Sequence, residues 1–213
     1  MLESILLIGS TGKMNEQVQM AATFQGITVF RISRKQLVEA DYLDFASVNL
    51  IVDFSLPVAT RQVITMAISL KKPLLICSTG HSEMLKSDSE IPICYAPNTC
   101  LEWLYLRDCA QAIANANPNM QIVIDDIHTD TKVDKPSGTA LELNKTLQNR
   151  ATINSIRMPR LASWHTITFY DYDQIIRLEH QVLNRSVYAR GAIRLGSKLI
   201  GMPPGVYSGF EMA

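Results

Sequence analysis

The feature that most constrains this chain is the alternation of two periods through its first hundred residues. Short β-branched or leucine-rich runs, Ser4–Ile8, Ile27–Ile32, Val48–Phe54, Pro73–Cys77 and Ile91–Tyr95, read as strands. Between them, apolar residues recur at helical spacing. Met14 to Phe24 carries Met14, Val18, Ala21 and Ala22 on one face, and Val58–Leu70 and Leu101–Ala116 follow the same rule. A parallel sheet covered by helices accounts for this alternation, and such sheets bind ligands beyond the carboxyl ends of their strands.

After Pro118 the pattern changes. Gln121–Ile127, Thr166–Tyr172 and Ile175–Leu183 are strand-like with a single helix, Ala140–Asn149, interposed, and Val187–Ile200 returns to a helical period. The expected fold is therefore α/β: a Rossmann-like dinucleotide-binding domain over residues 1–118 and a smaller α+β domain over 119–186. The C-terminal segment 187–213 is expected to pack back on the first domain.

Composition narrows the function classes. Lys+Arg and Asp+Glu both number 20, so no bulk positive field attracts a polyanion, and nucleic acid is not an expected partner. No apolar stretch approaches the roughly 20 residues that span a bilayer, and the N-terminus lacks a charged region followed by a long apolar one. A cytoplasmic protein without a membrane partner is expected. Cys77, Cys94, Cys100 and Cys109 lack paired metal-site spacing and read as buried thiols, and no set of metal ligands is expected.

The first strand runs into Gly9-Ser10-Thr11-Gly12-Lys13-Met14 and then a helix. Glycines there allow a tight turn and close approach of backbone to phosphate, beside the positive end of a helix dipole. The third small residue of the usual fingerprint is replaced by Asn15, and taken alone the turn also reads as a plain strand-to-helix connection. The second strand ends in Ser33-Arg34-Lys35 instead of the acid that binds a bare ribose, which favours a 2′-phosphate and hence NADPH over NADH. Asp53-Phe54-Ser55-Leu56-Pro57 and Cys77-Ser78-Thr79-Gly80 close later strands on the same expected edge, where small polar residues let a flat ring lie against backbone.

The most telling segment is His128-Thr129-Asp130-Thr131-Lys132-Val133-Asp134-Lys135-Pro136-Ser137-Gly138-Thr139, a loop between a strand and a helix. Ser137, Gly138 and Thr139 would bring backbone N–H groups and two hydroxyls to an anion, with the Lys132 ammonium nearby. Thr139-x-x-Glu142 also reads as a capping box, which accounts for the threonine but not for His128 and Lys132. Histidine exchanges a proton near neutral pH, and lysine holds charge where a substrate carries carboxylates.

On these segments the chain resembles the dihydrodipicolinate reductase family of diaminopimelate and lysine biosynthesis. The matching stretches are the Gly9–Gly12 turn, Val52–Pro57, Ser78–Gly80, Ala96-Pro97-Asn98, Lys132–Ala140, Arg177–His180 and Tyr188–Arg194. The resemblance implies hydride transfer from NADPH, with NADH possible, to an unsaturated cyclic imine dicarboxylate, and a second domain that binds substrate and builds a homotetramer. It implies that His128 is the catalytic acid and that Lys132 binds substrate and donates a proton, with Thr129, Ser137, Gly138 and Thr139 at the substrate. Cofactor contacts are implied from Gly9 to Met14, at Ser33, Arg34 and Phe54, at Ser78, Thr79 and Gly80, and from Ala96 to Thr99. The chain departs from the family where Thr129 replaces a second histidine, in Thr99-Cys100-Leu101-Glu102, and in a shortened stretch before His165. His165 and His180 read as core or interface residues, His81 as solvent-facing, and Trp103, Trp164, Tyr170 and Tyr172 as packing residues. A weakened dinucleotide-binding sensor and an aspartate dehydrogenase-like oxidoreductase are the competing readings.

Overall fold

The computed structural model describes residues 1–9, 12–39, 42–78, 88–159, 163–209 and 212. In chain order the elements are β1 Ser4–Ile8, α1 Lys13–Phe24, β2 Thr28–Ile32, α2 Arg34–Glu39, a 3-10 turn Tyr42–Phe45, β3 Leu50–Asp53, α3 Pro57–Leu70, β4 Leu74–Ile76 and β5 Pro92–Tyr95. They continue as α4 Leu101–Ala116, β6 Gln121–Thr129, α5 Gly138–Thr146, β7 Ala151–Met158, β8 Trp164–Tyr170, β9 Ile175–Gln181, α6 Ser186–Leu199 and β10 Gly205–Ser208. The chain divides into two compact units, Met1–Cys100 with Arg185–Ala213, and Leu101–Asn184.

In the first unit, six strands lie in the order β10-β5-β4-β3-β1-β2, all parallel. Its central strands are apolar without a break because helices cover both faces, so no polar alternation is needed. Leu6, Ile8, Ile51, Leu74 and Ile76 pack with Val63, Met66 and Ala67 of α3. Each of the leucine, isoleucine, valine and methionine side chains contributes roughly 1.5–3 kcal/mol by leaving water. The α6 helix joins this unit with a glycine at its closest approach. A Cβ on Gly196 would stand 2.3 Å from Leu50 Cδ2, nearer than side chains pack.

The second unit holds a four-stranded sheet in the order β7-β6-β8-β9, with β6 and β7 parallel and the other pairs antiparallel. Period-two alternation puts Ile122, Ile124, Asp126 and His128 of β6 on the face against which α5 packs, and Val123, Asp125, Ile127 and Thr129 on the opposite one.

The structure corrects several sequence expectations. The expected boundary at residue 118 falls at Cys100, because α4 packs on β9 and α5 of the second unit. Trp103 of α4 lies tilted over His165 and His180, at centroid distances of 4.8 and 5.8 Å. Strand β7 was not expected, since its exposed residues Thr152, Asn154, Ile156 and Met158 dilute the apolar signal. Cys77, Cys94 and Cys100 are buried as expected, but Cys109 of α4 is exposed, and Tyr170 and Tyr172, expected to pack, are exposed too. Burial pushes the Cys77 thiol up, with Cys94 and Asp53 adding to the effect, so it stays protonated and unreactive. His81 lies outside the described residues.

Candidate active site

The carboxyl ends of β1, β3, β4 and β5 form one edge, because Ile8, Asp53, Ile76 and Tyr95 are successive register partners. The residues that follow them, Gly9, Phe54, Cys77 and Ala96, therefore form a row. Chain order turns around between β1 and β3, with β2 on one side and β4 on the other, which makes a topological switch point. At that point an open groove of about 710 Å³ is lined by Gly9, Gly12, Ser33, Arg34, Lys35 and Phe54, and its wall includes the apolar side chains of Val38, Leu56 and Val58.

Gly9 sits at φ 98°, and a Cβ there would meet Asn15 Nδ2 at 3.0 Å and the Ser55 backbone at 3.4 Å. Only glycine turns the chain here. Asn15, in place of the usual small residue, is wholly buried and donates to the carbonyls of Ile8 and Gly9, tying the helix start to the strand end. A glycine turn before a helix, two cations and an apolar wall fit a dinucleotide. Arg34 and Lys35 stand at the start of the short helix α2.

The other expected cofactor residues are placed unevenly. Lys13 and Met14 open α1 without lining the groove. Ser78 is buried with its hydroxyl 3.3 Å from Asp53 Oδ2, and that fully buried carboxylate also accepts from Ser55 N at 2.8 Å and Thr60 Oγ1 at 3.3 Å. Ala96 is buried beside β4, Pro97 is half-buried, and Asn98 accepts from Cys100 N at 2.9 Å. The Thr99 hydroxyl donates to the Tyr188 carbonyl at 2.7 Å, holding α6 and not facing the groove. Ser10, Thr11, Thr79 and Gly80 lie outside the described residues.

In the second unit the covered face of the sheet gathers a polar cluster. Asp126 is fully buried. His128 Nδ1 lies 2.9 Å and His165 Nε2 3.2 Å from its Oδ1, while Oδ2 accepts from Ser137 N at 2.9 Å and lies 3.2 Å from Arg157 Nη2. No ring N–H is in line with Oδ1, so that oxygen and His128 Nδ1 are close but without a hydrogen-bond partner of good geometry. The second nitrogen of His128, Nε2, lies 3.0 Å from Ser163 Oγ. The rings of His128 and His165 meet edge to face at 5.0 Å.

Burial alone would raise the Asp126 carboxyl, but the close ring nitrogens of His128 and His165 and the Ser137 N–H hold it far below the usual carboxylate range. It is therefore ionised throughout the physiological range. Burial pushes His165 down against the opposing pull of Asp126, with His128 adding to the decrease, so His165 is neutral near pH 7.

Beyond β6 the loop returns at once. Lys132 N–H bonds to the Thr129 carbonyl at 3.1 Å, and Lys132 Nζ reaches Asp134 Oδ1 at 2.8 Å. The α5 helix is capped by Ser137, whose Oγ accepts from Ala140 N at 3.2 Å. The expected capping box at Thr139 and Glu142 is thus replaced by a single Ser137 cap, because the helix starts at Gly138 and the third helical position is Ala140. Gly138 N donates to Asp134 Oδ2 at 3.3 Å. Thr129 bonds to Asp130 and lies on the opposite face from His128, away from the cluster.

The structure thus brings His128, Ser137, Gly138 and Lys132 to one end of the sheet, as their shared loop requires. Sequence reasoning missed Asp126, Arg157, Ser163 and His165. Asp126 could have been found, since Asp-x-His on a strand puts both side chains on one face. Arg157 reaches the site only through β7, as the register partner of His128. Asp126, His128 and His165 also offer ligand atoms within 4.8 Å of one another, which linear spacing hides. Their donors face each other and an arginine, a setting that favours proton sharing over a cation.

Two family models match the chain: "Dihydrodipicolinate reductase, N-terminus" over residues 3–99 and "Dihydrodipicolinate reductase, C-terminus" over residues 104–212. A 4-hydroxy-tetrahydrodipicolinate reductase of Brachyspira hyodysenteriae is 29% identical over 185 residues, covering 75% of this chain and 80% of that protein. One from Sulfurimonas denitrificans is 29% identical over 227 aligned positions, covering 92% of this chain and 89% of the relative. Among solved structures, a dipicolinate-bound dihydrodipicolinate reductase from Paenisporosarcina sp. TG-14 superposes with a TM-score of 0.73 over 99% of both chains at 16% identity, which shows a shared fold.

Proposed function

Because the chain belongs to the dihydrodipicolinate reductase family, we infer that it is an oxidoreductase that uses NAD(P)H to reduce 4-hydroxy-tetrahydrodipicolinate to tetrahydrodipicolinate, in diaminopimelate and lysine biosynthesis. The observation that carries this reading is the convergence of His128, Lys132 and the N-terminus of α5 at one end of the second sheet.

The 4-hydroxyl leaves as water, and the conjugated cyclic imine so formed takes a hydride at one carbon and a proton to restore the imine. When bound, the dihydronicotinamide supplies the hydride. The glycine turn and the Arg34 and Lys35 cations hold the phosphates, and the apolar wall of Val38, Leu56 and Val58 takes the adenine. Lys132, Ser137, Gly138 and Thr139 hold a substrate carboxylate by charge and by the α5 dipole. His128, with Nε2 directed at Ser163 Oγ, and Lys132 supply the proton.

Preference for NADPH is supported by Ser33, Arg34 and Lys35 lining the groove, with NADH as a poorer donor. A homotetramer is supported by the second sheet, whose face opposite Asp126 and His128 leaves Ile156, Met158, Tyr170 and Ile175 exposed. A cytoplasmic site is in keeping with a reaction that draws on nicotinamide cofactor; no described helix is long and apolar enough to cross a membrane.

The deciding assay follows NADPH oxidation with substrate generated in situ from pyruvate and aspartate semialdehyde by the preceding synthase, with NADH in parallel. Oxidation that depends on the synthase is expected. Cofactor binding without turnover would favour the sensor reading, and activity on aspartate the dehydrogenase reading.

A further inference from the structure

We propose that Asp126 is a positioning residue for the reduction: its buried carboxylate sets the tautomer of His128 and locks that ring to the start of the substrate-carboxylate site at Ser137. The proposal rests on the reading of His128 as proton donor and of the α5 N-terminus as the anion site.

A wholly buried carboxylate is costly unless each oxygen is paired. In Asp126 the Oδ2 oxygen meets this condition by accepting from Ser137 N and Arg157, while Oδ1 has no hydrogen bond of good geometry and is balanced by the close ring nitrogens of His128 at 2.9 Å and His165 at 3.2 Å. An ionised carboxylate oxygen repels a nitrogen lone pair at 2.9–3.2 Å, so the forms with protons on the histidine nitrogens that face it are the favoured ones. Neutral His128 is therefore held as the Nδ1–H tautomer, with the Nε2 lone pair turned to Ser163 Oγ at 3.0 Å. Proton uptake and release then occur at Nε2 alone. His165, neutral, has its Nε2 3.2 Å from the same Oδ1 and 3.4 Å from Ser137 Oγ, which completes the contacts around the carboxylate.

The second half of the argument concerns Ser137. Its N–H bonds to Asp126 Oδ2, and its Oγ caps α5. One carboxylate thus fixes both where the helix dipole begins and how the donor ring is turned. A salt bridge with a purely structural role would need only Arg157. It would not require that the histidine Nδ1 and the first N–H of the anion site converge on the same group.

The test is Asp126→Asn, which keeps shape and removes charge. Long-range ¹⁵N–¹H spectra of histidine-labelled protein at a pH where His128 is neutral are expected to show Nδ1–H in the wild type and a shift toward Nε2–H in the variant. The kcat should fall about 10²-fold, the scale of a mispositioned acid, while NADPH affinity stays within about twofold. Retention of the Nδ1–H tautomer with unchanged kcat in Asp126→Asn overturns the proposal. So does an Nε2–H tautomer in the wild type, a measurement that stands even if the variant does not fold. Absence of reductase activity in the wild type would count against the functional reading alone, because the tautomer spectra report on Asp126 independently.

Discussion

Lys132 Nζ lies 2.8 Å from Asp134 Oδ1, and the other oxygen of that carboxylate accepts from Gly138 N at 3.3 Å. Two groups proposed to hold the substrate therefore already hold an anion of the chain's own. Burial would raise the Asp134 carboxyl, but the Lys132 ammonium and the Gly138 N–H keep it below its usual range, so it is charged at neutral pH. Substrate has to displace it. Asp134→Asn is expected to lower KM by up to about fivefold, the scale of the ~1 kcal/mol of a partly exposed ion pair. Steady-state kinetics decide this, and an unchanged or higher KM would show that Asp134 organises the loop without competing.

His128→Gln and Lys132→Met should each lower kcat/KM by at least about 10²-fold, as expected for a positioned acid and its charged neighbour. NADPH binding, read by fluorescence titration, should remain at the wild-type level. Near-normal turnover in either variant would remove that residue from its assigned role.

Arg34→Glu replaces a cation on the groove wall with an acid that can accept from a bare ribose. The NADPH to NADH ratio of kcat/KM should fall about tenfold or more, in line with the ~1.5–3 kcal/mol of hydrogen bonds to charged groups. A ratio that does not move would place the 2′-phosphate elsewhere.

Glu142 carries a carboxyl pushed up to about 7 by burial, against the opposing charges of Arg107 and Lys145. Its ordinary value is about 4.3. As pH rises through this window the unfolded chain ionises before the folded one, so folding stability is lost between about pH 4.3 and 7 and then levels off. Glu142→Gln should abolish that dependence and stabilise the protein at pH 8, by the order of 1 kcal/mol given its partial exposure. Urea midpoints at pH 5 and pH 8 test this; parallel shifts in both proteins would contradict it.

The legibility of the chain followed the range of each signal. The runs Ser4–Ile8 and Leu101–Ala116 match their observed elements to the residue, because period and burial are written locally. Strand β10 went unrecognised because Gly205–Ser208 is half-buried throughout and pairs with β5, which is remote from it in the chain. His165 read as a core residue because nothing in its own strand points to Asp126, which stands opposite it in the β6–β8 register.

By itself the sequence determined the parallel α/β unit, the glycine turn at Gly9 and the loop that joins His128 to Ser137, since each depends on residues within a turn or two of one another. Tertiary structure alone decided that α4 belongs to the second unit and that β7 exists to deliver Arg157. It also decided that His128, His165, Ser137 and Arg157 share one buried carboxylate. These contacts bring together residues up to 39 positions apart, counting from Asp126 to His165, and no local period records such a separation. Only register across the sheet does so, and that is set when the whole unit packs.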